Sequence, residues 1–330
     1  KGKNPLALYR PMEVRFLKTL FITFTLVILP GEGLYAQSFN VDSALSAMTL
    51  EEKIGQLFMV AAYSNKGEEH QAELEALVRD YHIGGVIVMQ GGPERQKKLL
   101  HRLQGAATFP LLVGQDAEWG QAMRLDSTYK FPTSLTVGAA GGTTDAFDLG
   151  VSLAEECRAV GVHMSFSPVL DVNTNPSNPI IGARSFGSNP RRVNALGKAV
   201  IDGIQDRGVL ACGKHFPGHG DTHQDSHKTL PKVDRTLEEL IEVEWVPFKG
   251  AIEAGVGAIM IAHLNIPSLE PSGKPTSLSR KVIQEILRDS WGYEGLVITD
   301  ALNMKGAAAF APPGELELAA FAAGNDILLF

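Results

Sequence analysis

Short apolar runs alternate along the chain with longer amphipathic ones. The apolar runs are 54–61, 83–89, 111–115, 162–166, 210–213, 258–262, 295–299 and 326–330, each rich in Val, Ile, Leu, Phe or Met. They show little polar alternation, which is how strands buried on both faces of a parallel sheet read. Between them lie helix-length segments: 68–81, 93–106, 144–160, 190–207, 236–254 and 279–290. Thr236-Leu237-Glu238-Glu239 has the form of a capping box, and Ser279 stands where it can cap the segment after it. Eight strands separated by helices predict an α/β fold of the (β/α)8 TIM-barrel type. An open doubly wound sheet would call for a glycine-rich phosphate turn after the first strand. That position holds Ala62-Tyr63-Ser64-Asn65-Lys66 instead. The eighth strand stops at Phe330 with no helix to cover it. The expectation is a barrel lacking its last helix, the leading part of a longer protein with room for a further C-terminal domain.

Composition narrows the class. Of the 330 residues 44% are hydrophobic, enough to fill a core and exclude a disordered chain. A net charge of −7 without a basic run argues against nucleic acid as a partner. Two cysteines, Cys157 and Cys212, can supply neither a disulfide framework nor a four-thiolate zinc site, and both read as buried packing residues.

The first methionine is Met12, and from there the text reads as an export signal. Arg15 and Lys18 precede the uncharged run Thr19–Leu29, a Pro30-Gly31 break and Leu34-Tyr35-Ala36 before Gln37. The apolar run is far shorter than the ~20 residues that span a bilayer. The reading is upstream residues plus a cleavable signal over 1–36 and a barrel domain over 37–330, working in the periplasm or outside the cell. No stable membrane insertion of the mature chain is expected.

In a (β/α)8 barrel the polar residues just past the C-terminal ends of the strands face the substrate. Those positions hold Asp116, Asp171, Lys214 with His215, His263 with Asn265, and Asp300. The densest stretch runs from Lys214 to His227, with histidines at 215, 219, 223 and 227. On a helix that spacing would align metal ligands, but Pro217, Gly218 and Gly220 oppose a helix. A zinc hydrolase built on a loop is the lesser alternative that ligand type keeps open. The favoured reading is a loop carrying a proton-transfer group. Asp225 and His227, two apart, point the same way in an extended segment, and a carboxylate beside an imidazole makes a general acid near neutral pH. Asp300 ends the strand Leu296-Val297-Ile298-Thr299, a rigid mount for a nucleophilic carboxylate; a helix N-cap is its bland alternative.

These stretches carry a resemblance. Lys214-His215-Phe216-Pro217-Gly218-His219-Gly220-Asp221-Thr222 followed by Asp225-Ser226-His227 resembles the signature of glycoside hydrolase family 3, more narrowly its β-N-acetylglucosaminidase branch. Ile298-Thr299-Asp300-Ala301-Leu302-Asn303-Met304 is similar to the family's nucleophile strand. The segments 178–187 and 166–172 are similar to its arginine loop and fourth strand. The resemblance covers about residues 42–330. It implies Asp300 as nucleophile, His227 oriented by Asp225 as acid/base, and Asp116, Arg184, Lys214 and His215 as holders of sugar hydroxyls. The implied reaction is retaining hydrolysis of terminal GlcNAc from peptidoglycan fragments or related β-glycosides, through a glycosyl-enzyme, with no metal or organic cofactor. A same-family β-glucosidase, a GlcNAc phosphorylase and an inactive wall-binding barrel are the alternatives. One departure stands out: after the third strand the family often has a Glu-Gly-Gly-Arg type segment, whereas this chain reads Asp116-Ala117-Glu118-Trp119-Gly120-Gln121, with Asp116 retained. Trp119 suggests an aromatic wall on which a sugar ring could stack.

Overall fold

Eight parallel strands arranged side by side make the framework: β1 (Phe58–Ala62), β2 (Gly85–Val88), β3 (Leu112–Gln115), β4 (Met164–Ser165), β5 (Leu210–Phe216), β6 (Ala258–Ile261), β7 (Leu296–Thr299) and β8 (Leu328–Leu329). This computed structural model describes residues 41–224 and 229–330. The export segment, Asp225 and His227 therefore lie outside the described residues. Residues 45–330 form the barrel unit. Strand order runs β7-β6-β5-β4-β3-β2-β1-β8. The ring closes where Thr299 N–H donates to Ile327 O at 3.0 Å and Asp326 N–H to Val297 O at 2.8 Å. This is the predicted (β/α)8 barrel.

Alternation along each strand separates two cores. Met59, Ile87, Met164, Phe166, Cys212, Met260, Ile298 and Leu329 fill the lumen. Their neighbours, such as Val86, Val88, Val113 and Val297, face the surrounding helices. Gly114 belongs to the lumen side: a Cβ there would stand 2.7 Å from the Phe166 ring, so the missing side chain makes room for a large one just past β4.

Several boundaries differ from the sequence pattern. Ile54 opens no strand; it lies in a helix, Leu50–Gly55, set by a capping box between Thr49 and Glu52. Residues 236–254 are helical, but the turn widens to a π-helix over Leu240–Glu244. Helices at Ser134–Ala140 and Glu315–Ala323 were not anticipated. The second is rich in Ala with little amphipathic contrast, so periodicity does not mark it. Among the described residues no helix is long and apolar enough to cross a membrane.

Candidate active site

A cavity of about 510 Å³ opens at the C-terminal ends of the strands. Period-2 geometry explains which side chains enter it. Asp116 lies two residues beyond Gly114, Lys214 two beyond Cys212 and Asp300 two beyond Ile298, each continuing a lumen-facing row into the barrel mouth. β5 extends three residues further than its apolar run suggests, so Lys214 and His215 lie in the strand and not after it. The register against β6 shifts between Lys214 and Phe216. This irregularity inserts His215 as an extra residue: Lys214 and His215 both line the cavity, and Phe216 returns to the helix side.

One wall is a charged network. Lys214 Nζ lies 2.7 Å from Asp116 Oδ1 and 2.8 Å from Glu118 Oε1. Arg184 grips Glu118 with two nitrogens, Nη2 to Oε1 at 2.7 Å and Nε to Oε2 at 2.9 Å. Arg124 pairs with the second oxygen of Asp116. Burial works against ionising Asp116, but Lys214 and Arg124 hold its carboxyl well below the usual range. Burial opposes ionisation of Glu118 as well, and Lys214 and Arg184 bring it down to about 2. The network is therefore fully charged at neutral pH, and Asp116, Arg124, Arg184 and Lys214 line the cavity with Glu118 buried behind them. That is a surface for holding hydroxyl groups.

A second network orients the imidazoles. Asp171 Oδ2 lies 2.7 Å from His215 Nδ1, and Asp171 Oδ1 accepts the His219 backbone N–H at 2.7 Å. Arg184 Nη2 stands 3.3 Å from His215 Nε2, so the ring is held between Asp171 and the guanidinium. Burial drives the His219 imidazole down to about 4, against the attraction of Asp171.

Asp300 stands at the end of β7, with Oδ1 accepting the Ala301 N–H at 2.8 Å. Burial raises its pKa, but His263, His215, that N–H and Lys214 bring it below the ordinary carboxylate value. An ionised carboxylate held on a strand end suits nucleophilic attack better than an N-cap role. The residues that follow form a turn, and no helix begins before Lys305.

The structure thus brings Asp116, Arg184, Lys214, His215 and Asp300 to one cavity. His263 serves from behind: it is fully buried, 2.6 Å from Ser277 Oγ, and bonded to Ala301 O, which steadies the turn after Asp300. Asn265 does not line the cavity; its backbone pairs with Pro231 and Val233. The histidines do not form one face, since His215 is in β5, His219 is in the turn after it and His223 Nδ1 lies 3.1 Å from Asn175. Among the described residues no three His, Cys, Asp or Glu side chains converge as metal ligands. Both cysteines are free and buried. The sequence pattern assigns no role to Glu118 or Arg124. The signal for Glu118 is a carboxylate two residues past Asp116, on the same side of an extended chain. Trp119 lines the cavity as expected.

Residues 49–330 match the family described as glycosyl hydrolase family 3 N terminal domain. Beta-hexosaminidase A of Pseudoalteromonas piscicida is 34% identical over 89% of this chain and 56% of its own length. A beta-N-acetylglucosaminidase/beta-glucosidase of Cellulomonas fimi is 30% identical over 88% of this chain and 52% of its own. Among solved structures, a glycoside hydrolase family 3 beta-N-acetylglucosaminidase from Paenibacillus sp. str. FPU-7 superposes with a TM-score of 0.81 at 39% identity, covering 86% of this chain and 55% of that one. The chain spans little more than half the length of each of these relatives. With the barrel, its strand-end carboxylates and these likenesses together, the chain belongs to glycosyl hydrolase family 3, whose N-terminal domain it contains over residues 49–330.

Proposed function

We propose that this domain catalyses retaining exo-hydrolysis of β-linked N-acetylglucosamine, with peptidoglycan fragments or related β-glycosides as substrates. The observation that carries this reading is Asp300, an ionised carboxylate at the end of β7, which shares its cavity with the charged side chains of Asp116, Arg124, Arg184 and Lys214, the last of them backed by Glu118. The network holds the sugar hydroxyls and places the anomeric carbon at Asp300. His227, oriented by Asp225, protonates the leaving oxygen as Asp300 forms the glycosyl ester, then takes a proton from the attacking water. The anomeric configuration is therefore retained. The assignment of His227 and Asp225 rests on their sequence motif, since both lie outside the described residues. Neither step requires a metal or organic cofactor. Export to the periplasm or beyond is the reading of the Met12–Ala36 segment, and a further C-terminal domain is consistent with relatives about twice as long.

β-Glucosidase action is the second reading, favoured by the double activity in the name of the Cellulomonas fimi relative. The test is a panel of 4-nitrophenyl β-glycosides, comparing N-acetylglucosaminide with glucoside and xyloside, with and without phosphate. The proposal expects the N-acetylglucosaminide to be cleaved fastest, by hydrolysis. A faster glucoside, or GlcNAc 1-phosphate as main product, would move the assignment to the β-glucosidase or the phosphorylase.

A further inference from the structure

We infer that Trp119 closes the pocket behind the far end of the bound sugar and thereby confines cleavage to one terminal residue; the inference rests on the glycosidase reading of Asp300. In a pyranose the carbon opposite C1 is C4. With C1 at Asp300 on β7, the C4 hydroxyl points to the strand diametrically opposite in a closed ring of eight, which is β3. The β3 end carries Asp116, and Trp119 follows it on the same loop and lines the same cavity.

The loop is built to hold an indole in place. Gly120 N–H donates to Ala117 O at 3.2 Å and Phe131 N–H donates to Trp119 O at 3.1 Å, so the chain doubles back on both sides of Trp119. Gly91 N–H donates to Arg124 O at 3.2 Å and Asp126 N–H to Gly91 O at 2.9 Å, which ties the loop to the end of β2. Gly120 has φ +85, and a Cβ there would lie 2.6 Å from the Phe131 ring and 2.8 Å from the Glu156 carboxylate. The turn beside Trp119 therefore accepts no other residue without rearrangement. Lys130 Nζ lies 6.0 Å from the centre of the indole, a cation near the ring face. A second sugar linked through O4 would have to pass through this wall.

The test uses 4-nitrophenyl N,N′-diacetyl-β-chitobioside and separates its products. The wild-type protein is expected to release N-acetylglucosamine first. Trp119→Gly and Trp119→Ala are expected to release intact diacetylchitobiose as well, raising the disaccharide-to-monosaccharide ratio by at least about tenfold. Trp119→Phe should remain close to wild type in this ratio. Because the glycine and alanine variants could fail to fold, a measurement on the wild type stands beside them. 4-O-Methyl-N-acetylglucosamine should inhibit at least about tenfold more weakly than N-acetylglucosamine. Equal inhibition, disaccharide release by the wild type, or active variants that release no disaccharide would each overturn the role of Trp119. Failure of the wild type to cleave 4-nitrophenyl N-acetyl-β-glucosaminide would instead remove the glycosidase reading, and this inference with it.

Discussion

Glu118 Oε1 lies 2.8 Å from the ammonium nitrogen of Lys214, and the two side chains are 1% and 2% exposed. Such a pair is held by its neighbours as much as by itself, because removing one partner strands the other charge without water. Arg184 depends on the same carboxylate, to which its Nε and Nη2 both donate.

Glu118→Gln is therefore expected to destabilise the fold by about 3–5 kcal/mol, read from urea unfolding at pH 7. It should also cut kcat/KM by about a hundredfold or more, since Lys214 and Arg184 both lose the group that aims them. Near-normal unfolding would mean that the pair contributes little to stability.

Asp300 and His227 divide the proposed chemistry, so their variants should fail differently. Asp300→Ala is expected to lower kcat by about 10⁴-fold or more on every aryl glycoside. His227→Ala should slow substrates with poor leaving groups far more than those with good ones, because only the former need a proton. Steady-state kinetics across a series of substituted phenols distinguishes the two; equal losses along the series for His227→Ala would remove its role as the acid.

His219 makes folding sensitive to mild acid. Burial holds its folded-state pKa at about 4, below the ordinary value of 6.5. As pH falls from 6.5 to 4 the unfolded chain takes up a proton that the folded one refuses, so stability is lost across that window and is fully present above it. The loss attributable to this residue is up to about 3 kcal/mol. Denaturant midpoints at pH 7.5 and 4.5 should accordingly differ less in His219→Asn than in the wild type.

Glu244 acts in the opposite sense. It sits in the widened helical turn, fully buried, and neither carboxylate oxygen has a hydrogen-bond partner among the described residues. Burial raises its pKa to about 7, with Arg235 opposing from 3.7 Å. The folded state thus keeps a proton that the unfolded chain loses from pH 4.5 upward, and stability declines from there until the pH passes 7. Glu244→Gln is expected to be more stable than wild type by about 1–3 kcal/mol at pH 8.5, with the gain fading by pH 5. A gain that persists unchanged at pH 5 would point to packing instead of charge.

Much of this was legible in the chain. Eight apolar runs with helices between them specify the barrel, because strands buried on both faces leave no polar residues except at their ends. Asp116, Lys214 and Asp300 were visible for the same reason: each is the first ionisable group past an uncharged run. His215 was visible beside Lys214, although the register shift between β5 and β6 that turns both into the cavity was not; less legible was Arg124, whose partner Asp116 is reached only when the β3 loop folds back.

What the sequence determined by itself is thus the fold and the strand ends on which chemistry collects, since local periodicity states which residues are buried. Only the tertiary structure decided the pairing: Arg184 meets Glu118 across 66 positions and Lys214 meets Asp116 across 98. Closure of the ring brings those ends within hydrogen-bond distance, and the burial that comes with it makes each charge depend on its partner. Neither condition is written in any single stretch of the chain.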